Sequence, residues 1–246
     1  MKASPPRILA FVVSMAACSF ATSHAQDAVV QKDGKTSSGV ITGVKANAVR
    51  IKIGPVETAV PLANVKSVTM APPADYDAIV AAWSKGDPAA TITKLLPLVQ
   101  TFKGLPTPWA ERACSILPEV YIAINKPTEA EAALAEFQKL YPSSGSSSQL
   151  LLARLSLSKK DFIGAKARLE PLVKAAKATK LPKGSEAVTY SQALLLMGRV
   201  LEQADQKSEA LENYLLVTTI FNKDNASAAQ AADRAKALTE EKVIVP

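Results

Sequence analysis

A stretch that occurs twice in the chain constrains the fold more than any other feature. Asp87-Pro-Ala-Ala-Thr-Ile-Thr-Lys-Leu-Leu-Pro-Leu-Val returns 74 residues later as Asp161-Phe-Ile-Gly-Ala-Lys-Ala-Arg-Leu-Glu-Pro-Leu-Val. That offset is two units of about 37 residues, a period typical of stacked helical repeats. The same frame recurs at Ala130, Leu134 and Phe137, and again at Ala210, Tyr214 and Val217. Each unit thus has a small residue (Thr91, Ala130, Ala165, Ala210), a large one four later and another three after that. This spacing makes one face of a helix that packs closely on its partner.

From Ala74 onward Ala and Leu dominate and the apolar period is about 3.6. Gly86-Asp87-Pro88 and Thr107-Pro108 place an N-cap before a first-turn proline, and Pro142 follows a helix end at Tyr141. The pattern predicts nine helices, near 75–85, 88–103, 107–125, 128–141, 146–159, 161–179, 185–205, 207–222 and 225–241.

With Gly198 and Ala153 each twelve residues before Ala210 and Ala165, Pro142 twelve after Ala130, and an aromatic at Tyr121, residues 74–241 resemble the tetratricopeptide repeat family. Pro118 replaces the family's small residue in the second unit, and the first unit, with Thr91, is degenerate. The resemblance implies a right-handed α-solenoid, mostly α, capped by a last helix from Asn225 and followed by a tail at 242–246. The last repeat is similar to periplasmic repeat proteins of the Tol-Pal type.

Ahead of this, residues 26–71 alternate apolar and polar side chains at period two, most clearly in Val49-Arg50-Ile51-Lys52-Ile53. Turn residues at Asp33-Gly34, Gly39, Ala46-Asn47, Gly54-Pro55 and Pro61 divide the stretch into five strands near 28–32, 37–45, 48–53, 56–60 and 65–70. Strands this short suit a small barrel-like module, because closure removes exposed edges. Lys32-Asp33-Gly34-Lys35, Gly39-Val40-Ile41-Thr42-Gly43-Val44 and Val60-Pro61-Leu62 resemble small Sm-like barrels of exported bacterial proteins. The six Lys and Arg and three acidic residues of this module come with no aromatic side chain to stack on a base, which argues against nucleic acid as a partner. Pro72-Pro73 marks a boundary after which the helical part is expected to stand alone.

Met1 to Ala25 has the layout of an export signal: Lys2 and Arg7, an apolar run from Ile8 to Ala17, and a small-residue exit before Gln26. The run is too short to cross a bilayer, which takes about 20 residues. Cleavage near Ala25 and a periplasmic location are expected, with a lipoprotein signal ending at Cys18 as the competing reading. No transmembrane segment is expected in the mature chain. Without this segment the chain keeps 27 Lys and Arg against 22 Asp and Glu, no histidine and one cysteine, Cys114.

That inventory leaves little catalytic chemistry. No phosphate loop, metal-ligand cluster or nucleophile elbow occurs, and carboxylate and lysine chemistry alone has no motif here. Cys114, Trp83 and Trp109 read as core. The expected function is a non-enzymatic scaffold, without cofactor or metal, that binds a protein or peptide; a self-assembling cell-envelope protein, a homo-oligomer, is the alternative. In the repeat frame Arg112, Glu119, Arg154, Gln192, Arg199, Glu202 and Gln203 face the binding groove, and Arg154 and Arg199 hold the same repeat position. Two such guanidiniums on adjacent helices would suit a carboxylate on an extended peptide.

Overall fold

A computed structural model describes residues 26–179 and 184–245. The expected export signal, with Cys18 and His24, lies outside the described residues. Among the described residues five strands, β1 (Asp27–Gln31), β2 (Thr36–Lys45), β3 (Ala48–Ile53), β4 (Val56–Pro61) and β5 (Val65–Thr69), precede nine helices. These are α1 (Tyr76–Ser84), α2 (Pro88–Phe102), α3 (Pro108–Ala123), α4 (Pro127–Leu140), α5 (Gly145–Ser158), α6 (Phe162–Ala178), α7 (Gly184–Gln203), α8 (Lys207–Thr219) and α9 (Asn225–Glu240). Among the described residues no helix is long and apolar enough to cross a membrane.

The strands form one antiparallel sheet in the order β4-β3-β2-β1-β5. Along β2 the side chains alternate, with Ser37, Gly39 and Ile41 buried and Thr36, Ser38, Val40 and Thr42 exposed. The first part of β2 pairs with β1 (Gly39 opposite Asp27) and the rest with β3 (Val40 opposite Lys52), with a register slip between Ile41 and Gly43. The expected barrel is not formed: the sheet stays open, with β4 and β5 as its two edges. The physical reason is that its apolar face is covered from outside the module. Val29, Ile41, Val49, Ile51, Val60 and Val65 belong to one continuous core with Ile79, Leu95, Trp109, Leu117 and Leu134 of the helices. Closure is therefore not needed to shield them.

Two contacts fix the sheet on the helices. At Gly43 (φ +146°) a Cβ would lie 2.6 Å from the carbonyl oxygen of Thr101 in α2, so only glycine permits this approach. The Trp109 indole donates a hydrogen bond to the Met70 carbonyl at 3.1 Å and packs edge-on against Tyr76 and Phe102. The apolar core thus does not stop at Pro72-Pro73.

The repeat shows in the turns between helices. Gly86, Asn125, Lys160 and Asp205 end α1, α3, α5 and α7 in the left-handed region, with φ of 75°, 58°, 60° and 57°. The amide of the next residue reaches back to the carbonyl five before it: Asp87 to Ala82, Lys126 to Tyr121, Asp161 to Ser156 and Gln206 to Leu201, at 2.8 to 3.1 Å. This is the Schellman closure. Lys242 (φ 62°) ends α9 the same way, with Val243 N–H bonded to the Leu238 carbonyl. Each turn lies five residues before the small residue of its unit, and Thr91, Ala130, Ala165 and Ala210 are all fully buried. Thr91 tolerates that site because its hydroxyl donates to the Asp87 carbonyl. Pro97 and Pro171, at equivalent places in α2 and α6, lie on the exposed side, where the carbonyl left without an N–H partner can be hydrated.

Every helix packs on the next in sequence, and in addition α3 touches α5, α5 touches α7 and α7 touches α9. The even helices have no comparable contact with one another among the described residues. The core divides at α5: Leu151 and Leu155 join the cluster shared with the sheet, while Leu150 and Ala153 join a second one running through α6 to α9.

A very close approach within a helix pair occurs at Gly198, where a Cβ would come 2.4 Å from the Tyr214 ring. Tyr214 is fully buried and has no room to withdraw. Gly198→Ala is expected to cost about 1 to 3 kcal/mol in denaturant melts, against about 0.5 kcal/mol or less for Glu240→Leu on the exposed side of α9. Lys160→Gly, which relieves a left-handed lysine, is expected to raise stability by about 1 kcal/mol in the same measurement.

Candidate functional site

Counting back seven residues from the left-handed residues that end α3, α5, α7 and α9 gives Pro118, Ala153, Gly198 and Ala235, each buried. The residue after each is Glu119, Arg154, Arg199 or Lys236. The contacts among the odd helices bring the sequence-derived candidates toward one side of the molecule, but into two clefts.

The first cleft, about 440 Å³, opens between α3, α5 and α7 and is lined by Arg112, Ser115, Glu119, Ser147 and Gln192 over an apolar floor of Leu150 and Leu151. The Arg112 guanidinium reaches Ser115 at 3.4 Å. Arg154 acts as a strap at its edge, with one amino group 3.9 Å from the Glu119 carboxylate and the other donating to the Gln192 amide oxygen at 3.3 Å. Gln192 donates in turn to Asp224 at 3.0 Å, and Asp224 also accepts from the Ser227 hydroxyl. A chain of polar contacts thereby runs from α3 through α5 and α7 to the start of α9. At one end of the cleft Ser144 donates to Glu111, and Tyr190 donates to Glu186.

The second cleft, about 460 Å³, lies between α7, α9 and the α5–α6 turn. Its lining is Arg199, Glu202 and Gln203 of α7, Arg234 of α9, and the apolar Leu157 and Phe162. Glu202 is its electrostatic centre. It receives two hydrogen bonds from the Arg234 guanidinium, the Nε one at 3.1 Å, and a third from the Tyr214 hydroxyl. Burial by itself would raise the Glu202 pKa, but these donors outweigh it and hold the carboxyl below its ordinary value. Tyr214 moves the other way, because burial and the neighbouring carboxylate both disfavour a phenolate.

The anticipated pairing of Arg154 with Arg199 is not what the clefts contain. Arg154 is engaged with Glu119 and Gln192, whereas Arg199 borders the second cleft and donates to Gln230 at 2.6 Å. The guanidinium that shares a cleft with Arg199 is Arg234. Sequence reasoning misses Arg234, Gln230 and Asp224 because α9 reads only as a cap. The signal available was the closing turn at Lys242, which gives α9 the same frame as α3, α5 and α7.

Cys114 is buried, with its thiol 3.9 Å from the Tyr141 hydroxyl, and burial pushes its pKa up to about 11, so it is a thiol at neutral pH. Among the described residues no three His, Cys, Asp or Glu side chains converge on a point that could hold a metal.

Because the folded Glu202 pKa lies below the ordinary glutamate value of about 4.5, its stabilising contribution is complete above that value and is lost as pH falls through the folded one. Glu202→Gln is therefore expected to flatten the acid limb of a stability profile below about pH 4.5, with little change in its shape near neutrality. Guanidinium titrations at a series of pH values measure this. A scan of family models, a search of curated proteins and a search of solved structures find no match to this chain.

Proposed function

We propose that this protein is an exported, non-catalytic scaffold whose helical part is a right-handed solenoid of tetratricopeptide type that captures an extended segment of another protein along its odd helices. The observation that carries the reading is the gathering of equivalent residues on successive odd helices beside two clefts, with polar rims and apolar floors. Such a surface suits a peptide backbone and alternating side chains. Both ends of the stack are covered. The sheet lies over the first helix pairs, and α9 turns Ala229, Ala232, Asp233 and Lys236 to solvent, a poor surface for stacking another copy.

Self-assembly in the cell envelope is the second reading, favoured by β4. This strand is an open sheet edge, and its Val56 is 60% exposed. Light scattering after size exclusion distinguishes the two, since a protomer that stays monomeric at high concentration removes the second.

The first reading is tested by placing a photocrosslinking amino acid at Ser147 in the cleft between α3, α5 and α7, or at Leu215 on the exposed side of α8, in the producing cell. Discrete protein adducts are expected from Ser147 and none from Leu215. Equal adducts from both, or none from Ser147, would overturn it.

A further inference from the structure

We infer that the cleft between α7 and α9 receives an acidic side chain neighboured by an apolar one in the captured segment, an inference that rests on the peptide-capturing reading above. The charge balance of the cleft points to this ligand. Arg199 and Arg234 contribute two positive charges and Glu202 one negative, a net of +1. Glu202 is already engaged by Arg234 and Tyr214. Arg199 donates its hydrogen bond to a neutral amide, that of Gln230, and feels the Glu202 carboxylate only through space, without a direct ion pair among the described residues. Its guanidinium is exposed and has donors to spare, since five N–H groups radiate from it in a plane. A carboxylate arriving here exchanges the amide partner for a charged one, which makes the stronger hydrogen bond.

The apolar half of the specificity comes from the opposite wall. Phe162 begins α6 directly after the capping residue Asp161, whose carboxylate accepts from Gly164 N–H at 2.8 Å. The cap holds this turn in place, and Phe162 stays 37% exposed beside Leu157 instead of turning into the core. A large apolar side chain laid across Phe162 and Leu157 removes that surface from water while its acidic neighbour reaches Arg199.

Glu202 has a defined part in this arrangement. It holds Arg234 and limits the positive charge of the cleft, and so keeps that guanidinium from joining Arg199 on an incoming carboxylate. Glu202→Gln keeps an acceptor for the Tyr214 hydroxyl, raises the net charge from +1 to +2, and frees Arg234 to engage the ligand.

The test is fluorescence anisotropy of the purified protein with labelled Gly- and Ser-flanked probe peptides carrying a central Glu-Phe pair, or Gln-Phe or Glu-Gly in its place. Glu-Phe is expected to bind about tenfold more tightly than either counterpart at low salt, and its advantage over Gln-Phe should shrink as salt rises. Arg199→Gln is expected to abolish the preference for Glu over Gln. Glu202→Gln should tighten Glu-Phe binding severalfold, a gain that damage to the fold would not produce. Equal binding of Glu-Phe and Gln-Phe, or no gain with Glu202→Gln, would overturn the inference, as would binding to phosphatidylglycerol vesicles in place of the peptides. If Ser147 still yields specific adducts in cells while the probes show no acidic preference, the inference fails and peptide capture stands. If neither is seen, both fail.

Discussion

Two helices joined by a tight turn can approach closely only where one backbone offers no bulk, and the helical part of this protein depends on meeting that condition repeatedly. Thr91, Ala130, Ala165 and Ala210 supply it on the even helices, and Ala153, Gly198 and Ala235 on the odd ones. The left-handed residue that closes each odd helix sets the phase of the even helix that follows. A fixed turn followed five residues later by a buried small position leaves little freedom in how each pair is formed. The close contact of Tyr214 over Gly198 also places the tyrosine hydroxyl on Glu202, one helical turn further along. Core packing and the charge arrangement of the second cleft therefore share one side chain.

The sheet belongs to the same system. The first unit has a polar residue, Thr91, at its small position and, among the described residues, no preceding helix pair to pack on. The sheet supplies the missing apolar surface through Val29, Ile41, Val49 and Ile51, and Gly43 lets β2 come against α2. The sheet thus covers the apolar face of the first helices, while α9, the last helix among the described residues, turns a small and polar side outward.

The sequence reveals periodic features well and long-range ones poorly. Strand and helix positions follow from local period and turn chemistry, which is why nine helices and five strands fall close to where the pattern puts them. Whether the strands close is decided by what covers their apolar face. That depends on Gly43 meeting Thr101 and Trp109 meeting Met70, contacts between distant residues that no local pattern encodes. In the clefts, the frame locates Arg112, Glu119, Gln192 and Arg199 because equivalent positions recur. It does not show that Arg154 is held between Glu119 and Gln192, since that depends on side-chain directions across helices separated by 38 residues of sequence. Arg234 escapes because α9 has no following helix within the described residues to complete its unit.

The division of the core at α5 gives the helical part a mechanical seam. Leu151 and Leu155 on one side of this helix, and Leu150 and Ala153 on another, tie it to two bodies that share little else, so bending or tension along the stack concentrates there. The cleft between α3, α5 and α7 bridges this seam, and the Arg154 strap crosses it from Glu119 to Gln192. An occupant of that cleft would splint the joint, making two bodies respond to load as one beam, and the stiffness of the whole molecule would then report whether the cleft is filled.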